Sequence, residues 1–387
     1  MERKGIPRAP WSRLTHGFFS VQRQPGSLAL KQQLSASEVS CSLAPSFPCW
    51  FENMLASFTE RLRAGNELTR DDVALACDHL FDEEIALALR ADFLRALHNK
   101  GETPAEIAAF VDVLLGRGVG PDLGEGLLDV CGTGGDRAGL INVSTGAMFV
   151  AAACGVRVVK HGNRGITSKC GGADVLEALG IRLDLPPQSA LASAGCCFLF
   201  APLYHPAFKA VAPVRSALAA EGTATIFNLL GPLLNPARPD FQLAGVFDPK
   251  LLPVYAEAFH LLGRKRAWAV HGSGGFDEVS TLGPSEVHAA ENGRTQQFFI
   301  DPGHLGFPSA RMEELRGGDV RQNSELLENI LRGRERGPKR DIILLNASCA
   351  LVVAGVSGDL GGALEEARLA LDKGLAYAVL RRLREIR

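Results

Sequence analysis

The sequence predicts an α/β protein in which a small N-terminal α-helical domain is hinged to a larger α/β domain with a mainly parallel central sheet and C-terminal helices. Three observations predict it. Apolar residues recur at helical spacing from Met54 to about Gly118. Five glycines and Pro121 between Gly116 and Gly126 then interrupt all periodicity, as a linker does. Beyond them, short apolar runs alternate with helical patterns, which marks a parallel sheet with crossover helices. At 387 residues and 46% hydrophobic, the chain is large enough for two cooperating units.

Taken in order, residues 1–53 form an extension, whose first fifty residues hold only Glu2 and Glu38 as acids, six Lys or Arg, and many Ser and Pro. That composition fits a transit peptide, a disordered tail, or a start misassigned upstream of Met54. Residues 54–118 are the helical domain. Ile85, Leu89, Phe93 and Leu97 place one apolar residue every fourth position, and in Lys100-Gly101-Glu102-Thr103 a helix ends at Gly101 and the next is capped by Thr103, with Pro104 in its first turn and Glu106 as reciprocal cap. Ile107, Phe110, Val111 and Leu114 continue the stripe. Residues 119–387 are the α/β domain. Strands are expected at Leu127 to Cys131, Val156 to Val159, Cys196 to Phe200, Leu243 to Phe247 and Ala267 to His271. Helices are expected up to Cys154, from Ala173 to Leu179, and from His205-Pro206 to Arg215, with residues 205–220 positioned to pack on the helical domain. Asn292-Gly293 reads as a hairpin turn. The last eighty residues read as helices, and Ile342 to Val356, interrupted by Asn346 and Ser348, falls short of the roughly 20 residues of a membrane span.

A net charge of −2 gives no global field for nucleic acid or an anionic membrane, so neither is expected as a partner, and any anion must be bound locally. Nine cysteines without a Cys-x-x-Cys pair fit reduced thiols and a cytoplasmic protein, or a plastid one if the extension is a transit peptide.

Four places can carry chemistry. Gly132-Thr133-Gly134-Gly135-Asp136 follows a strand and precedes a helix that opens with Asn142, Ser144 and Thr145; glycines admit close approach, and the helix N-terminus favours an anion. Its alternative is a plain tight turn. Arg137 replaces the third glycine of a dinucleotide fingerprint, and no Gly-Lys-Ser/Thr follows. Lys160-His161-Gly162-Asn163-Arg164, then Thr167-Ser168-Lys169, again follows a strand. Lys160 and Arg164 would neutralise phosphate, and His161 and Asn163 would hydrogen-bond a ribose or an acceptor; alone, the run also fits a solvated basic turn. Asp277-Glu278, after a strand and a glycine loop, suits Mg²⁺ alongside substrate phosphates, or is a solvated acid pair. Arg215 could clamp a carboxylate, or is a surface arginine on an amphipathic helix, and Ile226 to Pro236 is a shaped Gly-Pro and Asn-Pro loop.

Together these motifs closely resemble the anthranilate phosphoribosyltransferase family. The likeness rests on Gly132 to Asp136, Asn142 with Ser144-Thr145, Lys160 to Arg164, His205-Pro206-Ala207, Phe227-Asn228 through Gly231-Pro232-Leu233, and Asp277-Glu278, in family order. It extends to Lys100 to Thr103, Glu314 to Asp319 and Asn346-Ala347, and so spans Met54 to Arg387. The resemblance implies a nucleoside phosphorylase/phosphoribosyltransferase-like fold paired as a homodimer through its helical part. It further implies that phosphoribosyl pyrophosphate lies across Gly132, Thr133, Gly134, Gly135, Asp136, Asn142, Ser144, Thr145, Lys160 and Thr167. Anthranilate would approach Gly132, His161, Asn163 and Arg215, and Mg²⁺ would sit near Ser144, Asp277 and Glu278. The chain departs from the pattern in a longer Ser216 to Ala224 segment, in Ala224 where a basic residue is common, in Thr167 for serine, and around Ala88 to Phe93. Rival readings are a pyrimidine nucleoside phosphorylase-like enzyme, disfavoured by the complete motif set, and a non-catalytic nucleic-acid-binding homologue, disfavoured by the missing basic stripe.

Overall fold

The computed structural model describes residues 50–135, 138–165 and 170–386, so the extension up to residue 49, Asp136, Arg137, Thr167, Ser168 and Lys169 lie outside it. Four helices come first: α1 (Trp50–Arg63), α2 (Arg70–Phe81), α3 (Leu87–Lys100) and α4 (Pro104–Arg117). Thr69 and Thr103 cap α2 and α4, each accepting an N–H from an acid that returns a bond to the cap. The second of these acids, Glu106, is fully buried. It also accepts the Leu68 N–H at 3.0 Å and the Lys100 ammonium at 2.7 Å, so the turn between α3 and α4 is tied to the start of α2. Gly101, at φ 88°, closes α3. The expected stripe is rotated: Phe93 and Leu97 are buried, Ile85 precedes the helix and Leu89 is half-buried, while Arg90 turns inward to the carbonyls of Leu80 and Ala210.

The strands are β1 (Leu127–Gly132), β2 (Arg157–Gly162), β3 (Cys196–Phe200), β4 (Phe241–Gly245), β5 (Arg266–His271), β6 (Ser285–Glu291) and β7 (Arg294–Ile300), in one sheet of order β3-β2-β1-β4-β5-β6-β7. The first five are mutually parallel; β6 and β7 are an antiparallel hairpin turned by Asn292 and Gly293 at φ 51° and 73°. Between strands lie α5 (Val143–Ala153), α6 (Gly172–Ala178), α7 (Pro187–Ala194), α8 (Ala201–Tyr204), α9 (Phe208–Ala220), α10 (Phe227–Leu230) and α11 (Leu252–Leu261). The chain ends in α12 (Met312–Leu315), α13 (Val320–Leu331), α14 (Pro338–Val353), α15 (Leu360–Asp372) and α16 (Leu375–Glu385). One sheet face packs α5 and α13 to α16 into a core; the other shares a second core with α9 to α11 and the four N-terminal helices. Both faces are covered, as a parallel sheet requires. No helix among the described residues is long and apolar enough to cross a membrane, and Cys77, Cys131, Cys154, Cys196, Cys197 and Cys349 carry free thiols.

Three elements differ from expectation. β2 runs on through Lys160 and His161 to Gly162, because parallel pairing with β3 continues to Phe200; both residues sit in a strand, not a loop. β4 starts at Phe241 rather than Leu243 and ends at Gly245 rather than Phe247. Gln242 is buried there by donating to the Pro232 carbonyl at 2.5 Å, and a side chain at position 245 would overlap the main chain of Asp277. His205 caps the short α8, so α9 begins only at Phe208. The longer segment after Arg215 extends α9 to Ala220, where Gly222 at φ 74° turns the chain and Glu221 pairs with Arg95 of α3 at 2.7 Å.

Candidate functional site

The strand order reverses between β1 and β4, and ligands of open parallel sheets bind beyond the carboxyl ends at such a point. β1 leaves the sheet at Gly132, where any Cβ would overlap the Asp277 carboxylate, so glycine is what lets the two loops touch. Thr133 donates its N–H to the Gly245 carbonyl at 2.9 Å and accepts the Phe247 N–H at 3.1 Å. Gly134, at φ 69°, donates to Asp277 Oδ2 at 2.6 Å, and Gly135, at φ 89°, stays exposed.

The N-terminus of α5 faces the same crevice. Ser144 donates its N–H to Glu278 Oε1 at 3.2 Å, and its hydroxyl accepts from the Lys160 ammonium at 3.1 Å. Lys160, almost fully buried, also donates to the Val130 carbonyl at 2.6 Å. Thr145 is buried beside Lys160 below Gly172. The two acids are set by α14: Asn346, fully enclosed, accepts the Val279 N–H at 3.0 Å and donates to the Val279 carbonyl at 2.8 Å, clamping the chain next to Glu278. Glycine at 146 lets α5 approach α14, since a Cβ would press on Ile343.

The structure therefore gathers Gly132, Thr133, Gly134, Ser144, Thr145, Lys160, Asp277 and Glu278. Asn142 flanks them, but its amide is engaged with the Cys170 carbonyl at 3.1 Å and with Asn323 at 3.1 Å, holding three segments together. Arg164 does not face the crevice as expected. It pairs with Asp174 and Glu177 of α6 and lies over the Phe200 ring. Among the described residues no three His, Cys, Asp or Glu cluster as a metal cage. Two carboxylates beside a phosphate-type loop are nonetheless what Mg²⁺ takes, since waters and phosphates complete its shell.

On the other sheet face, aromatic rings run from His161 outward. His161 and His205 meet edge-on at 5.3 Å, His205 and Phe208 at 5.5 Å, Phe208 and Phe227 at 5.6 Å, and Phe81 of α2 closes on Phe208 at 5.9 Å. Arg215 lies 5.5 Å over Phe227, half-buried, and burial lowers its pKa. His205 bonds the Leu234 carbonyl at 2.8 Å, which fixes its ring. Burial beside His205 pushes the His161 pKa down to about 3, so its ring is neutral, and its buried Nε2 has no hydrogen-bond partner. Asn163 is exposed and its side-chain oxygen accepts the Arg164 N–H at 2.8 Å. Sequence reasoning missed Asp129, Asn235 and Gln242, polar residues buried beneath this wall; an acid inside the Leu127 to Cys131 run was the available signal for the first.

A family model described as the a/b domain of a glycosyl transferase family matches residues 124–377, and its helical bundle domain matches residues 56–118. The anthranilate phosphoribosyltransferase of Methylobacterium nodulans is 45% identical over 329 residues, covering 84% of this chain and 96% of that protein. That of Desulfatibacillum aliphaticivorans is 40% identical over 334 residues, covering 85% and 98%. Among solved structures, the Thermus thermophilus anthranilate phosphoribosyltransferase superposes with a TM-score of 0.79 at 38% identity, covering 85% of this chain and 98% of that one. The Saccharomyces cerevisiae enzyme in complex with PRPP and Mg gives 0.76 at 26% identity, covering 86% and 97%.

Proposed function

The chain belongs to the anthranilate phosphoribosyltransferase family, and from that premise we propose how its two half-sites divide the reaction. It transfers the phosphoribosyl group of phosphoribosyl pyrophosphate to the amine of anthranilate, giving N-(5-phosphoribosyl)anthranilate and pyrophosphate, a step of tryptophan biosynthesis.

The crevice at the ends of β1 and β4 takes the donor. The glycine loop Gly132 to Gly135 and the α5 N-terminus, with Asn142, Ser144 and Thr145, line the phosphate position, and Lys160 supplies positive charge from below; Asp136 and Thr167 belong to the same set by resemblance. Asp277, Glu278 and Ser144 would hold Mg²⁺, which would supply charge neutralisation for the departing pyrophosphate. A yeast relative solved with PRPP and Mg supports this reading. The histidine and phenylalanine wall, with Gly132 and Asn163 at its rim, takes the aromatic ring. Arg215, stacked on Phe227, takes the carboxylate, in keeping with a yeast relative solved with 4-fluoroanthranilate.

The amine of anthranilate is uncharged at neutral pH, so it attacks without prior deprotonation. The C–N bond forms at the anomeric carbon as the bond to the pyrophosphate oxygen breaks, with oxocarbenium character, and the nitrogen then loses its extra proton to solvent. No side chain forms a covalent bond. Orientation and leaving-group electrostatics carry the rate. Two chains pair through the helical unit, where Leu75 and Leu87 are exposed.

The observation that carries this assignment is the contact of both acid-bearing positions with both phosphate elements, Asp277 with Gly134 and Glu278 with Ser144. Mass analysis of the product tests it: N-(5-phosphoribosyl)anthranilate should form only with donor, acceptor and Mg²⁺ together, and its absence when all three are present would refute the assignment.

A further inference from the structure

Parallel pairing between β1 and β4 runs from Leu128 to Gly132, but on the other side β1 pairs with β2 only at Leu127 and Leu128. Beyond that point three side chains do what the ladder would have done. The Val130 carbonyl accepts from the Lys160 ammonium at 2.6 Å, the Val159 carbonyl from the Asn235 amide at 2.7 Å, and the His161 N–H donates to Asp129 Oδ1 at 3.2 Å. The strands that carry the two half-sites are therefore spliced by polar side chains.

Asp129 is the costly member of this splice. It is wholly buried, burial pushes its carboxyl up, and its Oδ2 has no hydrogen-bond partner. An unsatisfied buried carboxylate oxygen is tolerated only where something else depends on the group. What depends on it here is the main chain of His161, whose ring opens the acceptor wall and meets His205.

We propose that Asp129 is a positioning residue for the acceptor half of the site: its Oδ1 replaces a ladder carbonyl and thereby fixes the depth at which β2 presents the His161 ring to the aromatic acceptor. The inference rests on the reading that this wall binds anthranilate. The donor half does not depend on the same bond, because Lys160 is held from the opposite sheet face by Val130 and Ser144.

The test is steady-state kinetics of Asp129→Asn, Asp129→Ala and Asp129→Glu, with thermal midpoints recorded alongside. The asparagine oxygen can accept the same N–H, so Asp129→Asn should keep both KM values within about twofold. Alanine removes the acceptor, and glutamate keeps the charge but carries the oxygen one methylene past it; each should raise the anthranilate KM about tenfold while leaving the donor KM within about twofold. If alanine at this buried position prevents folding, the contrast between asparagine and glutamate carries the test. Donor and acceptor KM rising together, Asp129→Asn impaired as much as Asp129→Glu, or no change in any variant would each overturn the proposal. A wild-type protein that leaves anthranilate unconsumed would instead sink the functional reading, and this inference with it.

Discussion

Arg215 remains charged whatever its surroundings, and among the described residues it is held over Phe227 rather than paired with an acid. A guanidinium so placed is ready for an incoming carboxylate. Removing a charge-assisted bidentate bond costs about 1.5–3 kcal/mol, so Arg215→Ala should raise the anthranilate KM by roughly 10- to 100-fold and leave the donor KM near its original value. His161 makes a different kind of prediction. Its pKa of about 3 lies below the ordinary 6.5 because burial disfavours the imidazolium. Over pH 5 to 8 the ring therefore stays neutral. The pH profile of kcat/KM for anthranilate should be the same in this range for the wild type and for His161→Asn at its lowered level; an ionisation near 6.5 that vanishes in the variant would contradict the assignment.

At the scale of elements, the loop bearing Asp277 and Glu278 has no regular secondary structure of its own, and α14 holds it through Asn346. Asn346→Leu strands the Val279 N–H and carbonyl in an apolar interior. We expect a stability loss of about 1–3 kcal/mol in urea denaturation together with a higher Mg²⁺ requirement; a stability loss with unchanged metal dependence would show that the clamp does not set the acids. These connections mark what was legible in the sequence. Turn chemistry was, because Thr103, Glu106 and Asn292-Gly293 act on neighbours, as were the glycine loop and Asp277-Glu278. The extent of β2 was not, since Lys160 and His161 are polar residues kept in a strand by bonds to Val130, Ser144 and Asp129, all distant in sequence. The fate of Arg164 was hidden for the same reason: only the fold brings Asp174 and Glu177 to it.

Across the whole molecule, the sheet divides the two half-sites, one core gripping α5 and α14 and the other joining the sheet to the helical unit and α9. Glu328 of α13 contributes to the first of these assemblies through Arg384 of α16 at 2.7 Å and Arg332 at 2.6 Å, and these partners hold its pKa down to about 2 from 4.5. A carboxylate depressed in the folded state stabilises above its unfolded pKa, and that contribution is lost as pH falls from about 4.5 towards 2. Glu328→Gln should lower the thermal midpoint at neutral pH and flatten its decline between those values; an unaltered slope would exclude the pair as a source of acid sensitivity. The separation of the half-sites is itself most directly tested by following anthranilate fluorescence with donor and Mg²⁺ in the wild type, in Arg215→Ala, and in Asp277→Asn combined with Glu278→Gln. The account predicts rapid loss of signal in the wild type, loss restored by high anthranilate in Arg215→Ala, and almost none in the acid pair at any anthranilate concentration. Turnover by the acid pair equal to that of the wild type, or an Arg215→Ala defect that responds to donor and not to anthranilate, would contradict it.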